Sequence, residues 1–376
     1  MSIVLNSFLL LLQRYIQNLF CTNIMADLAQ RIQAFVKLGD FFRDYIHSKS
    51  EDSTTNPLAQ WFEEFDEIIE QAGYKNGWFT KENIHFAITS WGDLLTEDSL
   101  EEWIAPYSLE IGTPKKIAVI MAGNIPLVGF HDFLSILITG HAVIIKPASN
   151  DTILLPFIIK ILEEFEPDFK TKIEITKGQL TKFDGVIATG SNNTARYFEY
   201  YFGSKPNIIR KSRNSVAVLT GTENETQLRA LGADIFRYFG LGCRSVSKLY
   251  VPKDYDFSSF FEAIESYHSI LDHHKYNNNY DYNKAVYLMS EFPFLDNGFF
   301  MVKEDENYAS PIGTAFYEHY TSKADLVTKL SKEQDKLQCI VAENFMANEI
   351  YFGETQIPQL SDYADGIDTV EFLLKT

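Results

Sequence analysis

The spacing of apolar positions changes near residue 115. Upstream it is helical. Leu28, Ile32, Phe35, Val36, Leu38, Phe41 and Phe42 predict a helix from Asp27 to His47. Ser48 to Asn56 is a polar break, and Pro57 begins a second helix rich in Trp61, Phe62, Phe65, Ile68 and Ile69. Thr96-Glu97-Asp98 gives another helix a polar opening, and Ser99 with Glu102 has capping-box spacing. Residues 26 to about 105 therefore read as helices.

Downstream, short apolar runs alternate with helical stretches. The runs Lys116–Met121, Ala142–Ile145, Phe183–Ala188, Asn207–Ile209, Val216–Leu219 and Lys248–Pro252 predict strands. Between them, helices are expected from Pro126 to Gly140, Thr152 to Phe165, Asn193 to Phe202 and Glu225 to Tyr238. Pro126 suits a first helical turn because its missing N–H has no partner there. This alternation predicts an α/β fold with a doubly wound parallel sheet, whose ligands bind at the carboxyl ends of the strands. The polar stretch Tyr276–Asn283 reads as a surface loop, residues 284–342 mix strands and helices, and Asn348–Lys375 ends in an amphipathic segment.

A chain of 376 residues spans about two to three domains. Its 45% hydrophobic and 22% charged residues suit a globular core that needs no staples. A net charge of −18 disfavours nucleic acid and anionic membrane surfaces as partners. Cys21, Cys243 and Cys339 are too few and too scattered for a disulfide framework or zinc site, so a reducing, cytoplasmic setting is expected. Near the start, Phe8–Leu12 is short for a signal peptide, has no basic residue before it, and falls far below a membrane span. Leu9, Leu12, Tyr15, Ile16 and Phe20 fit one helical face, whereas a natural start at Met25 would make residues 1–24 an upstream extension.

Three places carry candidate chemistry. In Gly240-Leu241-Gly242-Cys243 a cysteine follows two glycines, between a helix and a strand. It is placed to attack, with Arg244 able to favour the thiolate, although a small buried residue would fit the same pattern. In Gly123-Asn124-Ile125-Pro126 the asparagine at a strand end is either an oxyanion donor or a helix N-cap. Lys146-Pro147 and Thr189-Gly190-Ser191 also follow strands, and the second opens a helix able to hold a phosphate. Neither a G-x-G-x-x-G fingerprint nor a P-loop accompanies them. His273-His274 lacks a matched metal-ligand partner, and the acidic run Asp362, Asp365, Asp368 and Glu371 does not have EF-hand spacing. No metal is expected.

In combination, Ala122–Leu127, Gly140–Pro147, Ala188–Ser191, Gly242–Ser245, Phe352–Gln356 and Asp362–Gly366 resemble the aldehyde dehydrogenase superfamily. The likeness, from about residue 100 to the end, is strongest to the acyl-CoA reductase branch typified by the LuxC-type long-chain fatty-acid reductase of bacterial luminescence. The resemblance implies that Cys243 accepts the acyl group and that Asn124 shares the oxyanion hole with the Cys243 N–H. It further implies that Lys146 contacts the adenosine ribose or its phosphate, Pro147 shapes the adenine side, and Gly190 with Ser191 covers the cofactor pyrophosphate. It also implies NADPH as cofactor with NADH as the alternative, an acyl-CoA or other acyl thioester as partner, and a homo-oligomer without membrane insertion. Hydrolytic relatives carry a water-activating glutamate ahead of the nucleophile. Here that stretch, Ile208–Ser215, has no carboxylate and holds Arg210, Lys211 and Arg213, which suit either a phosphate or a solvated strand end. The absence favours reduction of an acyl-CoA over oxidation of an aldehyde. The expected organisation is an extension over 1–24, and a helical region with a nucleotide-binding α/β domain over 25–214. A catalytic α/β domain with Cys243 follows over 215–345, and a segment over 346–376 returns to the core or an oligomer interface.

Overall fold

The computed structural model of the protein describes residues 28–49, 58–109 and 113–376. The expected extension over 1–24 lies outside the described residues. Helix α1 covers 28–48, followed by α2 (Gln60–Lys75), α3 (Lys81–Leu94) and α4 (Glu97–Ile104). Thr80 and Thr96 cap α3 and α4 by accepting the N–H of Asn83 and Ser99, each at 3.2 Å. Their apolar faces meet in an aromatic core of Phe35, Phe41, Phe42, Tyr45 and Phe65, all fully buried. Truncating such a phenylalanine to alanine costs about 3–5 kcal/mol.

The first sheet contains β1 (Lys116–Ile120), β2 (Ala142–Lys146), β3 (Ile173–Ile175), β4 (Gly185–Thr189) and β5 (Asn207–Arg210). Its order is β3-β2-β1-β4-β5 and every pair is parallel. Chain direction across the sheet therefore reverses at β1/β4. Helices α5 (Phe130–Ile138), α6 (Leu154–Phe165) and α7 (Phe169–Lys172) come before β4, and α8 (Asn192–Phe202) follows it. Helix α5 starts four residues later than Pro126, because Leu127 takes a left-handed φ of 57° that no right-handed helix admits.

The second sheet has the order β11-β6-β7-β10-β9-β8. It is built from β6 (Asn214–Val218), β7 (Val246–Pro252), the antiparallel pair β8 (Leu295–Asp296) and β9 (Met301–Glu304), β10 (Thr314–Tyr320) and β11 (Leu337–Val341). Helices α9 (Glu225–Phe236), α10 (Ser258–Ile264), α11 (His274–Met289) and α12 (Lys323–Lys332) accompany it. The stretch expected as a polar loop is α11. Three consecutive asparagines are poor helix formers, but Tyr276, Tyr280 and Tyr287 bury one side of it, and packing overrides propensity. His273, of the pair without a metal-ligand partner, is its N-cap and stacks on Trp78.

The last helix, α13 (Thr369–Lys375), leaves the second sheet and packs on α5. His141, buried at the foot of β2, fastens it: its Nδ1 accepts the Lys115 N–H (3.1 Å), so Nε2 carries the proton toward the Leu373 carbonyl (3.1 Å). Among the described residues, no helix is long and apolar enough to cross a membrane, and no cluster could hold a metal ion.

Candidate active site

Cys243 does not follow a strand; it precedes β7. Helix α9 ends at Phe236, and Tyr238, Phe239 and Gly240 then take left-handed φ values of 54°, 59° and 74°. Such backbone costs a non-glycine residue about 1–2 kcal/mol, so packing must hold it. Tyr238 packs edge-on against Phe86 of α3, while Phe239 stacks on His273 with ring centres 4.1 Å apart. The turn thereby throws Gly242-Cys243 across toward the first sheet.

Two contacts fix the cysteine loop. Ser215, fully buried in β6, donates its hydroxyl to the Cys243 carbonyl (2.9 Å) and accepts the Cys339 N–H (3.1 Å). Asn124 donates from Nδ2 to the Leu241 carbonyl (2.8 Å), joining the loop after β1 to the cysteine loop. It caps no helix, since the N-cap of α5 is Gly129. The carbonyl of Gly123 in turn accepts from Asn76 (3.0 Å) and Asn150 (2.9 Å). A Cβ at Gly123 would lie 2.5 Å from Asn150 Oδ1, so only glycine permits this approach.

Cys243 faces a cavity of about 200 Å³. One wall is apolar: Ala87, Trp91 and Leu94 of α3 with Ile125, Leu127 and Val128. The other is polar: His131, Asp132, Arg210, Arg244 and Gln356. Cys243 is exposed to solvent on the cavity side, with neighbouring groups crowding its thiol. Burial pushes its pKa up to about 11, with Cys339 adding to the rise and Arg244 opposing it. Arg244 thus favours the thiolate in sign, but burial outweighs it. Its guanidinium is also committed to the Thr355 carbonyl. Burial lowers the pKa of His131, whose Nε2 meets the Leu360 carbonyl at 2.9 Å. A larger cleft of about 480 Å³ behind the left-handed turn, bordered by Arg237, Phe239 and His273, holds no cysteine.

The loops after β1, β2 and β4 come together along the carboxyl edge of the first sheet. Ile120 is in register with both Lys146 and Ala188. Lys146 ends β2 without an ion pair among the described residues, and Pro147 follows. Ser191 caps α8, accepting the Thr194 N–H (3.3 Å), and Ala195 bonds to the Ser191 carbonyl. The N–H groups of Asn192 and Asn193 are left at the start of the helix, where an anion is favoured. At Gly190 a Cβ would press on Thr194 at 3.0 Å, so glycine lets the loop close onto α8.

The acyl-CoA reductase (LuxC) family model matches residues 58–266, more than half of the chain. The chain belongs to the LuxC acyl-CoA reductase family. Its activity is that of an oxidoreductase acting on acyl or aldehyde groups. A comparison with curated proteins gives no match. Among solved structures, Physcomitrella patens aldehyde dehydrogenase 21, in complex with succinate, is similar with a TM-score of 0.62 and 13% identity. That match covers 94% of this chain and 86% of the other. An indole-3-acetaldehyde dehydrogenase in complex with NAD+ gives 0.59 and 13% over 85% and 72% of the two chains. KauB of Pseudomonas aeruginosa gives 0.57 and 14% over 85% and 72%. These likenesses establish the aldehyde dehydrogenase fold.

One reading of the sequence changes in this LuxC-family site. The basic run after β5 offers no unpaired cation: Arg210 pairs with Asp132 in the interior, Lys211 with Glu199 (2.8 Å) and Arg213 with Asp365 (3.3 Å). The stretch 208–215 carries no carboxylate, as read from the sequence, while Asp132 and Asp362 from other elements line the cavity. The missed residues come mainly from the tail. Asp234, fully buried in α9, accepts the Gly353 N–H (2.7 Å), the Thr355 N–H (3.0 Å) and the Thr355 hydroxyl (2.8 Å). This carboxylate lays residues 353–356 beside the cysteine loop and brings Gln356 to the cavity. The one signal available was an aspartate in the apolar run of a predicted helix.

Proposed function

We propose that the protein reduces an acyl-CoA to the aldehyde at the expense of NADPH, through an acyl thioester on Cys243. The observation that carries this reading is the cavity in which Cys243 stands between an apolar wall and a polar one. The thiol transfers its proton to solvent or to the departing CoA thiolate, and its sulfur attacks the thioester carbonyl. Asn124, held at Leu241 through one N–H, keeps a second N–H for the developing oxyanion, beside the N–H of Cys243. Collapse expels the CoA thiolate and leaves the acyl group on Cys243. The reduced nicotinamide supplies the hydride when bound, and loss of the Cys243 sulfur then releases the aldehyde. A long alkyl chain lies along Ala87, Trp91 and Leu94 of α3, which gives the helical region a role in chain-length choice.

Lys146, Pro147, Gly190 and Ser191 hold the cofactor. In a sheet of this order, an acidic residue ending β2 recognises the ribose 2′-hydroxyl of NADH. Here Lys146 ends β2 and makes no ion pair among the described residues. A lysine at that position suits the 2′-phosphate of NADPH. The chain is a cytoplasmic homo-oligomer in this reading.

The test is NADPH and NADH oxidation, followed by absorbance, over a chain-length series of acyl-CoAs. Oxidation by wild type with long-chain acyl-CoA, absent in Cys243→Ala, is expected. Oxidation undiminished in that variant would overturn the assignment.

A further inference from the structure

The ion pair of Asp132 and Arg210 is unfinished. Asp132 lies in the first turn of α5, Arg210 ends β5, and their side chains are 6% and 7% exposed. Nη1 of Arg210 meets Oδ2 of Asp132, and Nη2 donates to the Thr369 hydroxyl (3.1 Å). That leaves Arg210 Nε and Asp132 Oδ1, both buried and both without a hydrogen-bond partner. A buried ion pair is sustained only when its remaining donors and acceptors are satisfied. These two atoms are free to meet a ligand's complementary groups.

Position narrows the ligand. Asp132 lines the Cys243 cavity and also a small void at the carboxyl ends of β1 and β4, bordered by Met121, Gly129 and Thr189. An open parallel sheet binds a dinucleotide at that switch point. A dinucleotide with its adenosine half beside Lys146 must pass Asp132 to reach Cys243. We propose that Asp132 and Arg210 recognise the carboxamide of the nicotinamide ring and so orient its hydride-bearing face toward Cys243. A carboxamide carries both complements: its NH2 donates to Oδ1, and its oxygen accepts from Nε–H. An alkyl chain carries neither. The inference rests on the reading that the protein uses a pyridine nucleotide, and it makes Asp132 and Arg210 positioning residues.

Calorimetric titration tests it without turnover. The proteins are wild type, Asp132→Asn and the double variant Asp132→Leu/Arg210→Met, which removes both charges together. The ligands are NADPH, its 3-acetylpyridine analogue (which lacks the NH2) and 2′,5′-ADP, the adenosine half alone. Asparagine keeps the shape but has one carbonyl oxygen, which Arg210 Nη1 occupies. NADPH should bind both variants about 10- to 100-fold more weakly, the scale of a hydrogen bond to a charged group. 2′,5′-ADP should bind all three alike, and the analogue should bind wild type as weakly as NADPH binds Asp132→Asn. Equal affinity of wild type for NADPH and the analogue overturns the inference even if the variants do not fold. Failure of wild type to bind NADPH or 2′,5′-ADP overturns the pyridine-nucleotide reading itself.

Discussion

The two sheets offer their chemistry from opposite strand ends. In the first, the loops carrying Asn124, Lys146 and Gly190-Ser191 all follow strands, as parallel sheets with ligands require. In the proposed reading they work largely through backbone: a glycine where loops touch, and N–H groups where α8 begins. In the second, Cys243, the proposed nucleophile, precedes β7 and follows a left-handed turn braced on Phe86 and His273. A general topological rule built the first half of the site. The second depends on a strained detour, and Asn124 joins the two through Leu241.

Predictions that would break this contrast begin with the proposed nucleophile. Cys243→Ala should abolish turnover and leave NADPH affinity, measured by fluorescence titration, within about twofold. Next comes the joint between the sheets. Asn124→Ala should lower kcat by about 10²–10³, the scale of one oxyanion donor, in steady-state assays. An unchanged kcat would reduce Asn124 to a loop tie.

A third outcome concerns the thiol. Because burial raises the Cys243 pKa, iodoacetamide alkylation of the free enzyme should climb with pH toward a midpoint near 11, beyond that of an ordinary thiol. Asn124 keeps its place in this measurement, so the pH profile separates the thiol's setting from the oxyanion contact. Smaller effects belong to the backbone. Gly240→Ala, at φ 74°, should destabilise by about 1 kcal/mol in chemical denaturation, with most of the activity loss expected on the cysteine side.

The smallest effect sharpens the first sheet's half. Asp151 has a folded pKa of about 6, above its unfolded value near 3.8. The folded state then binds more protons between those values, so stability falls as pH rises through that window. Asp151→Asn should relieve a penalty of order 1 kcal/mol at pH 7 and give no gain near pH 4 in urea denaturation.

The contrast also explains what the sequence could say. Strands β1, β2, β4, β5, β6 and β7 were legible because short, mostly apolar runs between turn signals have few alternatives. The cysteine loop was visible as glycines around Cys243. Helix α11 was not, because its helicity comes from three tyrosines finding a core and not from its asparagines. The polar wall was hidden for the same reason. Asp132, Arg210 and Gln356 are far apart in sequence: the first two pair directly between α5 and β5, and the Asp234 clamp on the tail brings Gln356 beside them. Charges read singly in the run Arg210–Arg213 looked like free phosphate anchors or a solvated edge. Their partners, Asp132, Glu199 and Asp365, lie on other elements.

The most direct test of the central claim is intact-mass spectrometry of the protein incubated with a long-chain acyl-CoA in the absence of NADPH. A single added acyl mass, mapped by peptide digestion to Cys243 and lost when NADPH is supplied, is the expected result. The unmodified protein mass, or an adduct that persists in Cys243→Ala, would contradict the account.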